Sequence, residues 1–412
     1  MIHRQTTHPL LPALRRLPGP LEQLVQSLVE RLLSRWTYGA LELRTADGQI
    51  VCAGDKESEE RAVIAVHNRG FFSRLVLRGE LGLGESYVAS EWDSPNLVES
   101  LRLFLRNLDV LEVENTLTRV ASLPARARHR LRRNNRRGSA SNIHAHYDLG
   151  NDFYRLFLGD SWTYSCGYWR DGANSLEEAQ FAKVDRLLSG LELKASDHLL
   201  EVGCGWGSLA IRAAQTTGCR VTGITVSHEQ LELGKQRVAD AGLSERVELR
   251  YCDYRDLEGT FDHVASVEMI EAVGFEYLDG FFRACHQRLK PGGKFALQSI
   301  TMPDYKFDAY RRAIDWTQLY IFPGALIPSV GALAASWSRA GLDLEKLDDI
   351  GTDYAPTLAE WRKRFREQLA GVRRLGFDAP FERLWNLYLA FSEAAFAERS
   401  LGDAQILLSK RP

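Results

Sequence analysis

Long apolar runs are missing from this chain of 412 residues. No stretch of about 18 apolar residues occurs, so no segment is expected to span a membrane. The opening stretch MIHRQTTHPLLPALRRLPGP has neither a long apolar core nor a small-residue cleavage site, and no signal peptide is expected. Paired cysteines are missing too: Cys52, Cys166, Cys204, Cys219, Cys252 and Cys285 form no CxxC. That argues against a metal centre and against a disulfide framework, and fits a reducing cytoplasm. The formal net charge is only −2, so nothing draws the whole chain to nucleic acid. There is no GK[ST], hence no P-loop, and no internal repeat.

What remains is ordinary globular composition, 45% hydrophobic and 26% charged. The length exceeds what one core usually supports, so more than one domain is expected. Residues 21–36, LEQLVQSLVERLLSRW, place Leu21, Leu24, Val25, Leu28, Val29, Leu32, Leu33 and Trp36 at helical spacing. A core or dimer-facing helix is one reading, a membrane-surface helix the other, and a homodimer is a possible consequence. ALELRTADGQIVCA then reads as a hairpin around Asp47-Gly48, and 1–122 as a small α+β domain. Residues 123–141 form an Arg-rich linker with seven arginines between Arg126 and Arg137. Its structural reading is a solvated connection. Near a charged bilayer each arginine is worth roughly 1 kcal/mol of attraction to anionic headgroups. A nucleic-acid role lacks interleaved aromatics.

From 198 onward strand and helix patterns alternate: HLLEVG, SLAIRAAQ, RVTGIT, EQLELGKQRVADAG, RVELRYC, FDHVASVEM, YLDGFFRACHQRLK, KFALQSI. This implies an α/β, doubly wound parallel sheet that binds ligands beyond the carboxyl ends of its strands. The loop Gly203-Cys204-Gly205-Trp206-Gly207 lets backbone approach a ligand at a helix N-terminus. It is GxGxG rather than GxGxxG, and GITVS at the next strand end holds no acid, which disfavours a dinucleotide. Ser227 and Gln230 fit a capping box, which alone would explain both. Asp253, after the third strand, suits an adenine amino group or a plain turn.

The assembled motifs HYDLGNDFYRLFLGDSWTYSCGYW, LLEVGCGWGSLA, GITVSHEQ, CDYRDL, SVEMIEAVG, IFPGALIPS and GTDYAPTL resemble the cyclopropane-fatty-acyl-phospholipid synthase family, mycolic acid cyclopropane synthases included. The resemblance runs from about Asn142 to the C-terminus, and the N-terminal part resembles the extra domain of phospholipid-acting members. It implies a Rossmann-like methyltransferase domain over 142–412 with seven strands, the last (AQILLSKR) antiparallel, and acyl-chain-binding inserts at 303–329 and 357–399. It also implies S-adenosylmethionine, held by Tyr164, Ser165, Gly203, Cys204, Gly205, Gly207, Thr225, Gln230, Asp253 and Tyr254. A bicarbonate base is implied at Cys166, Glu271, Ile300 and Tyr354, with Gln298 standing where the family has histidine and Ala272 where histidine commonly follows the glutamate.

On that resemblance the reaction adds a methyl carbon to the double bond of an unsaturated phospholipid acyl chain, at the inner face of the membrane as a peripheral enzyme. The product is a cyclopropane. Gln298 leaves open a methylene- or methyl-branched chain instead, an inactive lipid-binding protein is a third reading, and an amine N-methyltransferase, by likeness to the plant alkaloid enzymes, a fourth. Methylating an alkene leaves a carbocation, so Tyr164, Tyr168 and Trp169 are expected as its aromatic shield, and Glu271 as base or as the group that positions it. Cys166 has no local His or Asp partner, so a turn role is expected for it in place of a nucleophile.

Overall fold

The computed structural model describes residues 19–108 and 149–412, so the Arg-rich segment 123–141 lies outside the described residues. Two compact units emerge, one comprising 19–108, 314–321 and 361–400, the other 149–313, 322–360 and 401–412.

In the first unit the expected hairpin is present. Strand β1 (Ala40–Arg44) pairs antiparallel with β2 (Ile50–Gly54) through a turn at Gly48, whose φ of 84° suits glycine. β1 also pairs in parallel with β3 (Arg61–Val66), and β3 meets the short β4 (Trp92–Asp93). Leu41, Leu43, Ala62, Ile64 and Val66 are buried by strand alternation. The helix Gly19–Leu33 buries Val25, Val29 and Leu33 but leaves Leu24 65% exposed, so only part of its apolar stripe serves this core. The helix Ala379–Ala397 starts at Asp378, whose carboxylate accepts the Phe381 N–H, and buries Phe381, Leu384, Trp385, Tyr388 and Leu389 on one face, as its pattern predicts. The sequence pattern groups 357–399 with the methyltransferase part, whereas 361–400 packs in the first unit. The reason is a set of specific partners. Glu398 accepts from Arg102 and Arg106, and Arg383 lies 4.0 Å over the Tyr87 ring and donates to the Tyr87 and Trp92 carbonyls.

The second unit is a seven-stranded sheet in the order β10-β11-β9-β8-β5-β6-β7. Its strands are β5 (His198–Val202), β6 (Arg220–Thr225), β7 (Val247–Tyr251), β8 (Phe261–Val267), β9 (Leu289–Thr301), β10 (Leu342–Asp349) and β11 (Gly402–Lys410). β5 to β9 are parallel neighbours, and β11 runs antiparallel between β9 and β10. Helices cover both faces. Phe281, Phe282 and Trp337 pack with Phe295 and Leu297, while Val184, Leu187 and Leu209 pack with Leu199 and Val221. β5 has β6 on one side and β8 on the other, so chain order reverses there and the strand ends open a crevice.

In the first unit Glu85 is fully buried and accepts from Arg78 at 2.7 Å and from the Tyr320 hydroxyl at 2.6 Å. Removing it orphans a largely buried guanidinium. Glu85→Ala should lower unfolding free energy by about 3–5 kcal/mol in urea melts. Asp47→Ala, which removes the solvent-screened partner of Arg69, should leave the urea midpoint nearly unchanged by comparison.

Candidate active site

The glycine loop sits at the end of β5. Gly203, Gly205 and Gly207 have φ of 83°, 52° and 79°, left-handed values that L side chains rarely adopt. A Cβ on Gly203 would lie 2.5 Å from the Met269 side chain, so space and conformation both demand glycine. Gly207 does not line the cavity that follows; it turns the chain into the helix Ser208–Thr217. That cavity, of about 180 Å³, is lined by Tyr164, Ser165, Gly203, Cys204, Gly205, Thr225, Gln230, Asp253 and Tyr254, together with Lys183, Glu201 and Glu268.

Only half of the expected capping box forms. Ser227 Oγ accepts the Gln230 N–H at 3.3 Å, while Gln230 Oε1 accepts instead from the Thr225 hydroxyl at 3.0 Å, holding its amide at the cavity wall. Asp253 accepts from the Arg255 backbone and guanidinium, so the turn reading and a place on the cavity wall both hold for it. Tyr164 packs on Tyr154 and Phe322 at ring-centroid distances of 5.5 and 6.5 Å.

Beside this cavity lies a polar cluster whose centre, the half-buried Glu268, is a residue the sequence pattern does not single out. Glu268 follows β8. Its Oε1 accepts from the Cys166 backbone N–H at 2.8 Å and from Gln298 Nε2 at 2.8 Å, and its Oε2 from the Tyr354 hydroxyl at 2.6 Å. Gln298 Nε2 also donates to Asp403 at 3.1 Å, and its Oε1 accepts from Gln405 at 3.1 Å. Burial and the Glu268 charge raise the Asp403 carboxyl well above the usual range. The buried Lys183 ammonium donates to Ser165 Oγ at 2.5 Å; burial lowers its pKa, and the Glu268 charge opposes that.

Glu271 is not a surface carboxylate. It is buried in a 3₁₀ turn, Ile270–Ala272, and its Oε1 accepts from the Ile300 N–H at 2.7 Å and the Ser299 hydroxyl at 3.0 Å. Burial, with the Glu268 charge second, pushes it up to about 8, which favours its protonated form at neutral pH and the positioning role over that of base. Cys166, Gln298 and Tyr354 therefore converge on Glu268, while Ile300 and Glu271 pair with each other. A bicarbonate does not fit this arrangement: its planar O–C–O group would need the donors that the Glu268 carboxylate already takes.

The aromatic shield is smaller than expected. The Tyr168 ring lies under the Arg186 guanidinium at 4.8 Å, and Trp169 Nε1 donates to the Thr357 hydroxyl at 2.9 Å; neither lines the cavity. The Cys166 thiol is fully buried and its pKa is raised well up by that burial, which suits a turn residue and not a nucleophile.

The signals for the missed residues differ. Glu268 stands at the carboxyl end of a parallel strand, where ligands bind. Lys183 falls in phase with the buried Ala179 and Leu187 on its helix. Asp403 is reachable only through strand register, which sets it opposite Ile300. Among the described residues no group of side chains is arranged to hold a metal ion.

A seven-stranded sheet with its last strand antiparallel, a glycine loop after β5 and polar residues at the ends of β6 and β7 define the fold and cofactor site of an S-adenosylmethionine-dependent methyltransferase. The chain belongs to the mycolic acid cyclopropane synthetase family, whose model matches residues 134–406. It is 40% identical over 403 residues to the tuberculostearic acid methyltransferase UfaA1 of Mycobacterium tuberculosis, covering 93% of this chain and 92% of that one. It is 35% identical over 359 residues to the cyclopropane-fatty-acyl-phospholipid synthase of Escherichia coli, covering 85% and 88%. The solved mycolic acid cyclopropane synthase CmaA1, complexed with SAH and CTAB, superposes with a TM-score of 0.62 at 29% identity, over 66% of this chain and 98% of that one.

The cavity fits the cofactor: left-handed glycines bare the backbone, and Gln230, Asp253 and the neutral Glu201 line it. Burial pushes the Glu201 carboxyl up to about 8, from an ordinary 4.5. The folded state therefore keeps this proton while the unfolded state loses it, and stability falls as pH rises from 4.5 to 8. Thermal melts of the ligand-free enzyme should show a shallower decline over that window in Glu201→Gln than in the parent. Cys166→Ser keeps the N–H that meets Glu268, so its turnover should stay within about tenfold of the parent in a methyl-transfer assay.

Proposed function

We propose that the enzyme transfers a methyl carbon from S-adenosylmethionine to the double bond of an unsaturated acyl chain in a membrane phospholipid. The observation that carries this reading is the adjacency of the cofactor cavity to a largely buried acid–base cluster, with the half-buried Glu268 belonging to both. Methylation of an amine needs no such cluster; methylation of an alkene does, because the adduct is a carbocation that must lose a proton. The arginines of 126–137 support an approach to anionic lipid at the inner face of the membrane.

When bound, S-adenosylmethionine supplies an electron-poor methyl group on a sulfonium. Tyr164, Ser165, Gly203, Gly205, Thr225, Gln230, Asp253 and Tyr254 would hold it. The Tyr164 ring, backed by Tyr154 and Phe322, offers an aromatic face to positive charge, worth roughly 0.5–2 kcal/mol. Leu326 N–H donates to the Glu271 carbonyl at 2.8 Å, which fastens the segment after Phe322 to the turn that carries Glu271.

Two fates are open to the cation. Direct loss of a proton from the new methyl closes a cyclopropane. A hydride shift first, then the same loss, leaves an exocyclic methylene. The branched outcome is favoured by Gln298, which cannot ionise, and by similarity along nearly the whole chain to a protein named a methyltransferase. The ring is the second reading, supported by the Escherichia coli relative.

Incubation of the enzyme with methyl-labelled cofactor and unsaturated phospholipid vesicles should place label in the lipid. Label only in added amines would overturn the acyl reading. Proton NMR of the product should show vinylic methylene signals; upfield ring protons would replace the branched product with the cyclopropane.

A further inference from the structure

Both fates of the cation require a base beside the transferred methyl, and no bicarbonate fits the donors that would hold it. We propose that Glu268 is that base, a carboxylate built into the chain at the position a bound anion would take. This inference rests on the acyl-methylation reading and names the group that completes it.

Three observations converge. The first is the donor set: backbone N–H of Cys166, amide of Gln298 and hydroxyl of Tyr354, from three separate segments, all end on one carboxylate at 2.6 to 2.8 Å. The second is access: Glu268 lines the same cavity as the glycine loop and Tyr164. The third is backbone conformation. Glu268 has φ of +47°, a left-handed value that disfavours a side chain with a Cβ. Its own N–H is nonetheless fixed to the Gln298 carbonyl at 2.9 Å, so the strain is held in place by the surroundings. That bend aims the carboxylate back into the cluster.

The neighbouring acids do not compete for the role. Asp403 and Glu271 are buried, burial and the Glu268 charge raise both carboxyls, and each has one carboxyl oxygen with no hydrogen-bond partner among the described residues. Lys183, held on Ser165 Oγ, lies close enough for the Glu268 charge to oppose the lowering that burial imposes on it. The step balances simply. A C–H bond of the transferred methyl breaks, and its electron pair goes to the cationic carbon, forming the ring bond or the methylene double bond. The proton goes to Glu268, which becomes a carboxylic acid. A proton next to a carbocation is far more acidic than any carboxylic acid, so the base needs position more than strength.

The test uses the full-length enzyme with labelled cofactor and unsaturated phospholipid vesicles in carbon dioxide-depleted buffer. Glu268→Gln should lose about 100-fold to 10,000-fold in product formation while binding the cofactor normally by calorimetry. Glu268→Gly, which also relieves the left-handed backbone, should be inactive but regain turnover as formate is added. Parent enzyme should run at the same rate with and without bicarbonate. Parent-like turnover in Glu268→Gln, a bicarbonate requirement in the parent, or a cofactor-binding Glu268→Gly that formate never rescues would each overturn the assignment. Absence of label from lipid with the parent enzyme would instead overturn the acyl reading, and the base with it.

Discussion

The hydrogen bonds that gather on the Glu268 carboxylate tie the catalytic half of this molecule together. One donor comes from the aromatic segment 162–169, one from β9, and one from Tyr354, which opens the helix Tyr354–Glu367. None of these segments has reason to approach the others by local propensity. The aromatic segment is held there again by the Gly167 N–H on Thr357 and by the Trp169 N–H on Asp353. Even a half-buried carboxylate is costly to leave without donors. Its satisfaction therefore selects one arrangement of the three segments, and that arrangement walls one side of the cofactor cavity.

The sheet explains why such a charge can be afforded. β11 enters antiparallel between β9 and β10 and brings Asp403 and Gln405 level with Ile300 and Gln298. Gln405 then fixes which way Gln298 points, since its Nε2 donates to Gln298 Oε1. Burial and the Glu268 charge both raise the Asp403 carboxyl, and the same charge holds up the Lys183 ammonium that burial lowers. Fold and electrostatics are thus linked through one strand inserted against the direction of its neighbours.

Much of this was legible in the sequence, and the parts that were not share a cause. Strands β5 to β9, the glycine loop, the hairpin at Asp47-Gly48 and the apolar face of 381–389 follow from periodicity and turn chemistry, which are local. Cofactor residues such as Gln230 and Asp253 follow from their place at strand ends. Glu268 is hidden in the sequence because Glu271, three residues later, matches the family motif and takes the base role by resemblance; nothing local distinguishes two glutamates in SVEMIEA. Asp403 and the packing of 361–400 in the first unit depend on register and on distant ion pairs, which no window of sequence contains. Tyr168 failed as a shield for a similar reason: its cation partner, Arg186, comes from another segment.

The glutamine at 298 acquires a physical meaning from this arrangement. A site that must recruit a free anion from solution needs positive charge, because the anion loses translational freedom and hydration on binding. A histidine at that position can provide it. A carboxylate already tethered to the backbone has no association cost, so a neutral donor is enough to orient it. On this view the glutamine and the glutamate are two halves of one change, in which a bound base is exchanged for a resident one and the charge needed to capture it is no longer required.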